Sequence, residues 1–280
     1  MPLYEAIVLG LVQGLSEFLP ISSSGHLILT RWLFGWDTPG DAGVEKAFDV
    51  ALHAGTLVAV VAYLRADVWR YGSKGVALLW HRQRPADAEG RVAWLLVVAT
   101  IPAALAGALF EDWIDEQLGT PAIIAISLIV FGLLLWWADR WAARQVEQRP
   151  LDEFRLGDAV TVGAAQALAL NPGTSRSGIT MTAARRLGFS RDAAARLSFL
   201  LSLPVIAGAV VLKVGRLLTD GVPDGLGAAL VAGVLAAGLS GWVAVWGTLR
   251  LIRTRSFAPF VVYRCALGVG VLVLLATPFR

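Results

Sequence analysis

Long apolar stretches dominate this chain, separated by short polar segments. A helix needs about 20 residues to cross the ~30 Å hydrocarbon core of a bilayer. Six stretches reach about that length: 47–64, 92–110, 121–138, 195–215, 227–249 and 258–277. The pattern predicts an all-α, polytopic membrane protein with six transmembrane helices, folded as a single integral membrane domain over 1–280.

Two further apolar stretches are each interrupted by a polar segment with proline and glycine. Residues 2–35 are broken at "PISSSGH", and residues 157–188 are broken at "NPGTSRSG". Because proline cannot continue a helix, each stretch is predicted to form a re-entrant helical hairpin. Irregular backbone at membrane depth is tolerated only where protein or a watery cavity surrounds it, so both breaks are candidate sites.

The positions of the charges predict how the chain is oriented. Basic residues cluster in 65–91, 139–156, 185–196 and 250–255, and all four clusters fall on one side if the spans cross and both hairpins are re-entrant. The positive-inside rule makes that side cytoplasmic, with both termini outside the cytoplasm. The opposite connections carry the acidic residues Asp37, Asp41, Glu45, Glu111, Asp112, Asp115, Glu116, Asp220 and Asp224.

The two hairpins then enter from opposite faces, as in an inverted-topology repeat. The first half is predicted at 1–138 with the hairpin 2–35, and the second at 157–280 with the hairpin 157–188. Gln13 and Gly25 are separated by the same distance along the chain as Gln166 and Gly178. This register aligns "QGLSEFLPISSSG" with "QALALNPGTSRSG".

Composition supports a membrane protein and excludes other classes. The chain is 56% hydrophobic and 16% charged, whereas a soluble domain carries roughly a quarter charged residues. The net charge of +3 comes from basic residues in connections, so no nucleic acid partner is expected. The single cysteine, Cys265, lies in an apolar run and is expected to pack there. Arg31 is the first basic residue, so no cleavable signal peptide is predicted.

The first break places a carboxylate, hydroxyls and an imidazole close together. Pro20 ends the first helix, and Gln13 and Glu17 lie four residues apart on one face of its last turns. His26 follows in the first turn of the next helix, and Gly25 allows the backbone to approach a ligand closely. Serines favour N-cap positions, and free N–H groups at a helix start bind anions. The serines are Ser22, Ser23 and Ser24.

The second break repeats this arrangement and adds a permanent positive charge. Pro172 and Gly173 interrupt the helix, and Arg176 supplies a planar fork suited to phosphate. Hydroxyl groups are offered by Thr174, Ser175 and Ser177. If both breaks meet in the bilayer, the arginine and the two helix starts predict an anion site. A carboxylate at that site would repel phosphate, so Glu17 is expected either to bind a metal or to transfer protons.

"QGLSEFLPISSSGHL" and "PGTSRSG" resemble the signature motifs of the undecaprenyl-diphosphate phosphatase family, also known for bacitracin resistance. "FDVALHAGTLVAVVAY" and "SFLLSLPV" fit the same family, and the similarity covers nearly the whole chain. The resemblance implies removal of the terminal phosphate from undecaprenyl diphosphate, the bacterial cell-wall lipid carrier, generally with a divalent cation. Matched family site residues are Gln13, Glu17, Ser22, Ser23, His26, Ser175 and Arg176.

The resemblance and the charges together predict the roles of these residues. Mg²⁺ or Ca²⁺ is expected on Glu17, Gln13 and the substrate phosphates, because Arg176 and Glu17 cancel each other's charge. Predicted catalytic residues are Glu17, Ser23, His26 and Arg176. Predicted substrate-binding residues are Gln13, Ser22, Ser24, Gly25, Thr174, Ser175, Ser177 and Arg176. Ser23 is favoured as nucleophile with His26 as its base, and His26 as nucleophile or as base for water stays open.

Other functions fit parts of this pattern. A lipid-phosphate flippase would use the same arginine and helix starts but would need no nucleophile. The lipid phosphate phosphatase superfamily also has "SGH" and "SR" segments, but the second histidine that it needs after "SR" is missing here. The flippase therefore remains the alternative.

Four ionisable residues outside the two breaks also need an interpretation. Arg264 lies inside the last span and is expected to form an ion pair, with a substrate-phosphate contact as the second reading. His53 and His81 are expected to be structural, with a position lining the cavity as the second interpretation for His53. Asp49 is expected to be interfacial or to cap a helix.

The expected location is the bacterial cytoplasmic (inner) membrane, with the site facing the extracytoplasmic side. Expected partners are the polyprenyl diphosphate, its tail in a groove among the spans, and membrane lipids. The pattern also permits a homodimer.

Overall fold

A computed structural model describes residues 1–36, 42–81, 88–220 and 226–278. The described part of the chain is helical and contains no β-strand beyond an isolated bridge. Its α-helices are α1 (Leu3–Glu17), α2 (Ser23–Phe34), α3 (Ala42–Tyr63), α4 (Arg65–His81), α5 (Ala88–Leu118), α6 (Pro121–Ala142), α7 (Leu156–Ala167), α8 (Arg176–Arg186), α9 (Arg191–Asp220), α10 (Leu226–Thr254) and α11 (Ala258–Leu275).

The all-α, polytopic fold predicted from hydropathy is confirmed. Among the described residues, five helical segments are long and apolar enough to cross a membrane: Ala88–Phe110 of α5, Pro121–Ala142, Arg191–Leu212 of α9, Leu226–Thr254 and Ala258–Leu275. The remaining predicted span, 47–64, corresponds to α3, which ends at Tyr63. That helix meets the same criteria only together with α4, from which it is bent by 86°.

Helix α4 corrects the expectation that residues 65–91 form a loop. One of its faces packs on α5, where Trp94 Nε1 donates to Gly75 O at 3.0 Å. The same face contacts the short 3₁₀ turn after α6, because Tyr71 Oη donates to Asp152 Oδ1 at 3.1 Å. The other face exposes Trp69, Val76, Leu79 and Trp80. This amphipathic pattern is typical of a helix at a membrane surface. The loop prediction was wrong because it considered the number of basic residues in 65–91 and not the spacing of the apolar residues among them.

Some predicted connections differ from the structure or cannot be compared with it. Helix α5 runs through 111–116, which were expected to form an acidic loop. Of the acidic residues on which the orientation rests, Asp37, Asp41 and Asp224 lie outside the described residues.

The first helix of each hairpin packs on a helix from the other predicted half. Helix α1 lies against α10, where Gly10 faces the backbone of Gly233. Helix α7 lies against α5, where a Cβ on Gly163 would come within 2.6 Å of Ala99 O. Gly10 and Gly163 occupy the same position in the predicted register. Their missing side chains let the backbones approach closely, which is how small residues promote helix packing in membranes.

Candidate active site

The two breaks adopt the same backbone conformation. Ser22 precedes α2 with φ 79°, and Ser175 precedes α8 with φ 74°, both in a region that residues other than glycine rarely occupy. Each serine caps its helix, with Ser22 Oγ accepting from Gly25 N–H at 3.4 Å and Ser175 Oγ from Gly178 N–H at 3.0 Å. The turns therefore match in the predicted register. The boundaries of the two halves, 1–138 and 157–280, stay a prediction.

The two turns bind directly to each other. Ser22 Oγ accepts from Gly173 N–H at 3.0 Å, and Ser177 Oγ donates to Leu19 O at 2.8 Å. A Cβ on Gly25 would lie 3.2 Å from Gly173 Cα. The close approach predicted for Gly25 thus serves contact between the turns. Prolines and serines in both breaks build one structural unit.

Arg264 holds this unit together from α11. Its guanidinium donates to Pro20 O at 3.0 Å in the first turn, and to Gly173 O at 2.9 Å and Thr174 O at 3.0 Å in the second. It also donates to Leu128 O of α6 at 3.0 Å. No carboxylate among the described residues pairs with Arg264, so the predicted ion pair is wrong. Backbone carbonyls, most of them in the two broken helices, satisfy this buried cation instead.

Glu17 is the centre of the polar cluster beside the turns. Its carboxylate is buried and accepts from Arg176 Nη2 at 2.8 Å, from Ser23 Oγ at 2.6 Å and from Gln13 Nε2 at 3.0 Å. Four of the residues predicted for the site therefore lie together. A buried carboxylate is tolerated only when such donors replace its water, and here they come from both hairpins.

Ser23 and Arg176 approach Glu17 from equivalent positions. Each is the first residue of its helix, and the predicted register aligns them. Arg176 is also fixed by a second bond, from Nη1 to Ser198 O of α9 at 3.1 Å. The symmetric frame thus supplies a hydroxyl from one helix start and a guanidinium from the other, on either side of one carboxylate.

His53 also belongs to this cluster, which sequence reasoning underrated. Its Nδ1 lies 2.7 Å from Asp49 O, a carbonyl that can only accept, so Nδ1 carries the proton. Its other ring nitrogen, Nε2, lies 3.5 Å from Glu17 Oε2. Asp49 forms an ion pair with Arg31, with Nη1 to Oδ2 at 2.9 Å, rather than capping a helix. Asp49 and His53 lie one helical turn apart on α3, which was the available signal.

His26 makes its contacts away from Glu17. Its Nδ1 donates to Ser22 O at 2.6 Å, and its Nε2 lies 2.8 Å from the hydroxyl of Tyr263, whose ring stacks on the imidazole. The hydroxyl of Ser23 donates to Glu17. The role of His26 as base for Ser23 stays a prediction, but both of its ring nitrogens are engaged elsewhere.

The other hydroxyls predicted to bind substrate mainly build the turns. Thr174 Oγ1 accepts from Asn171 Nδ2 at 3.1 Å, and Ser175 Oγ lies 3.1 Å from Ser177 Oγ. Ser24 is exposed, with its Oγ 3.5 Å from Ser22 Oγ. Their contribution to substrate binding stays a prediction. The side chain of His81 lies outside the described residues.

The oxygen atoms around Glu17 fit a hard divalent cation only in part. Gln13 Oε1 is buried with no hydrogen-bond partner among the described groups, and it lies on the residue that donates to Glu17. With the carboxylate and the Ser23 hydroxyl it forms a set of oxygen donors, which Mg²⁺ and Ca²⁺ prefer. Within the described ranges no group of three or more His, Cys, Asp or Glu side chains is placed to hold a metal. Substrate oxygens or water must therefore complete such a site.

A largely apolar cavity of about 690 Å³ opens beside Arg176. Helices α5 and α9 supply most of its small and aliphatic lining residues, which include Ala103, Gly107, Val205 and Gly208. A neighbouring cavity of about 520 Å³ shares Ile114 and Leu170 with it. The site therefore combines a charged end with adjoining apolar space, the arrangement required by a ligand with a charged head and a hydrocarbon tail.

Comparison with known proteins agrees with this chemistry. The sequence profile described as bacitracin resistance protein BacA matches residues 6–270. An undecaprenyl-diphosphatase of Moorella thermoacetica is 47% identical over 268 residues, covering 96% of each chain. The undecaprenyl-diphosphatase 2 of Stutzerimonas stutzeri is 46% identical over 98% of each chain, and the undecaprenyl-diphosphatase of Gemmatimonas aurantiaca is 46% identical over 99% of each.

Proposed function

Because the chain belongs to the bacitracin resistance protein BacA family and is an integral membrane phosphatase of undecaprenyl diphosphate, we propose that its chemistry is carried by Glu17, Ser23 and Arg176. The observation that carries this assignment is the convergence of Ser23 and Arg176 on one buried carboxylate. A hydroxyl, its proton acceptor and a phosphate-binding guanidinium are the groups that phosphoryl transfer to a serine requires.

In this mechanism Ser23 attacks the terminal phosphorus of the substrate. Glu17 accepts the hydroxyl proton, because its Oε2 already receives the hydrogen bond from Ser23 Oγ. Arg176 binds oxygens of the transferring phosphoryl, and free N–H groups at the starts of α2 and α8 add positive potential. The bond to the bridging oxygen breaks, undecaprenyl phosphate leaves, and water then releases inorganic phosphate from the serine.

A divalent cation would be held by the carboxylate of Glu17 and by Gln13 Oε1, with the substrate phosphates completing its ligands. When bound, Mg²⁺ or Ca²⁺ would neutralise charge on the diphosphate. Glu17 would then be shared between the cation and Arg176. The unpartnered amide oxygen of Gln13 supports this assignment.

The polyprenyl tail would occupy the apolar cavity beside Arg176, between α5 and α9. The location proposed for the protein is the bacterial inner membrane, with the headgroup reached from the extracytoplasmic side. The grouping of basic residues on the opposite side supports that orientation. A homodimer is compatible with this arrangement.

The direct test is phosphate release from a polyprenyl diphosphate by the purified protein in detergent, with and without EDTA. Hydrolysis that EDTA abolishes and Mg²⁺ or Ca²⁺ restores is the expected result. Release that persists in EDTA would overturn the cation proposal alone. No release under any metal condition would contradict the phosphatase assignment and leave the flippase alternative, which predicts lipid movement without cleavage.

Replacing Ser23 by alanine should lower kcat by about 10³-fold with little change in KM, because the variant keeps the charges that bind substrate but loses the nucleophile. Replacing His26 by glutamine should have a smaller effect, since His26 contacts Ser22 O and Tyr263 instead of Glu17. Single-turnover kinetics with terminally ³²P-labelled substrate measure both effects, and acid quenching should trap phosphate on Ser23.

Thr161→Ala serves as the folding control, because Thr161 is an exposed residue of α7 whose hydroxyl, in the part of the chain that the structure describes, bonds only to Gly157 O. Near-normal turnover in Ser23→Ala, with no labelled serine in the unmodified protein, would replace the serine mechanism by direct attack of water.

A further inference from the structure

Gln166 is a buried amide that nothing in the mechanism above uses. It lies near the end of α7 and is 2% exposed. Neither its Oε1 nor its Nε2 has a hydrogen-bond partner within the part of the chain that the structure describes. Leaving a buried polar group unpaired is destabilising, so such an amide is retained when a ligand or water satisfies it.

The surroundings of Gln166 restrict what that partner can be. Gln166 lines the same cavity as Arg176, and apart from Thr100 the other lining residues are apolar or glycine. Ser23 and Glu17 are not among the lining residues. The amide therefore faces the space between the charged cluster and the region that accepts hydrocarbon.

Gln13 is the counterpart of Gln166 in the predicted register, and comparing the two shows why the amide of Gln166 has no partner among the described residues. Gln13 Nε2 donates to Glu17, four residues further along α1. The residue four positions after Gln166 is Leu170, whose side chain offers no acceptor. The second hairpin thus keeps the glutamine but lacks the carboxylate that would occupy its N–H₂ group.

We propose that Gln166 donates this N–H₂ group to the lipid-linked phosphate of the substrate, the phosphate that stays on the polyprenyl product. The proposal rests on the diphosphatase activity and adds a substrate-binding residue to it. The terminal phosphate lies at Ser23 and Glu17, and the tail lies among the apolar residues of α5 and α9. The phosphate between them is the acceptor that Gln166 can reach from the cavity wall.

The test compares kinetics and product inhibition in Gln166→Leu with those in the unmodified protein. Leucine is close in size but cannot donate. With farnesyl diphosphate in detergent micelles, we expect KM to rise about 10-fold, equivalent to about 1.4 kcal/mol, with kcat nearly unchanged. The inhibition constant of farnesyl phosphate should rise by a similar factor, while that of inorganic phosphate should stay the same.

Stability separates this role from a structural one. Because leucine removes an unpaired buried amide, Gln166→Leu should melt at the same temperature as the unmodified protein or higher. Gln145→Leu, an exposed glutamine, is the matched control and should change none of these values. Gln166→Asn keeps the amide but shortens its reach, so it should weaken farnesyl phosphate binding without loss of the fold. If the leucine variant does not fold, farnesyl phosphate binding by the asparagine variant tests whether Gln166 binds the lipid-linked phosphate.

An unchanged inhibition constant for farnesyl phosphate in the folded variants would overturn the proposal. A loss of affinity for inorganic phosphate as large as the loss for farnesyl phosphate would also overturn it, because the effect would then not be specific to the lipid-linked phosphate. The outcome is separable from failure of the mechanism. Ser23→Ala should lose turnover but bind farnesyl phosphate normally, so binding reports on Gln166 even where no hydrolysis occurs.

Discussion

Replacing Arg176 by lysine is expected to lower kcat/KM by about 10³-fold, the scale on which arginines act in phosphoryl transfer. The guanidinium holds Glu17 through Nη2 and Ser198 O through Nη1 at once, so its plane is fixed before substrate arrives. An ammonium group is a point charge that cannot make this fork and bind two phosphate oxygens as well. Positive charge alone should therefore not restore activity, and steady-state phosphate release measures the loss.

Arg65→Lys is the matched control, because Arg65 is exposed and its one side-chain hydrogen bond to the described residues is a long one, to Ala62 O. It should keep full activity and the same melting temperature. If Arg176→Lys retained more than about a tenth of the original kcat/KM, the loss of transition-state stabilisation would be less than about 1.4 kcal/mol. Arg176 would then act as a general source of positive potential, and the proposal that it binds phosphate through a bidentate fork would be wrong.

Replacing Glu17 by glutamine should reduce kcat by at least about 10³-fold, because Ser23 loses the carboxylate that accepts its proton. Excess Mg²⁺ or Ca²⁺ should not recover the rate. The substitution also leaves the Arg176 guanidinium without its counter-charge, and breaking a buried pair in this way costs about 3–5 kcal/mol. The melting temperature in detergent should fall accordingly.

A double variant separates the two consequences of losing Glu17. Adding Arg176→Gln to Glu17→Gln removes the unpaired cation, so the melting temperature should recover while activity stays absent. Asp152→Asn, on the surface 3₁₀ turn, is the control for losing a carboxylate. A Glu17→Gln enzyme that matched the original rate at saturating Mg²⁺ would show that the carboxylate is neither base nor essential ligand.

Much of the site was predictable because local rules determine it. Proline must end α1, serine is a favoured cap, and a cation inside a membrane needs hydrogen-bond acceptors or negative charge around it. These rules located both turns and brought Glu17, Ser23 and Arg176 together. The equal conformations of Ser22 and Ser175 follow the register read from the sequence.

The features that were missed depend on contacts between distant parts of the chain. His53 reaches Glu17 from α3, and its spacing from Asp49 placed both on one helix face but did not show which helix that face meets. Arg264 was expected to need a carboxylate, but broken helices expose carbonyls that serve equally well. Helix α4 was not predicted because its apolar residues are interspersed with charged ones. The number of charges alone indicated a loop, whereas the helical spacing of the apolar residues indicates an amphipathic helix.

The position of Arg264 on α11 has a consequence for how the enzyme matures. The ribosome makes α11 after both turns, yet the guanidinium of Arg264 on α11 donates the hydrogen bonds to Pro20 O, Gly173 O and Thr174 O. During synthesis, the first turn therefore enters the membrane long before the residue that locks it to the second. A nascent chain that has not yet inserted α11 holds Glu17, Ser23 and Arg176 but not the guanidinium that aligns the two turns, so we expect hydrolytic competence to arise only once α11 has packed.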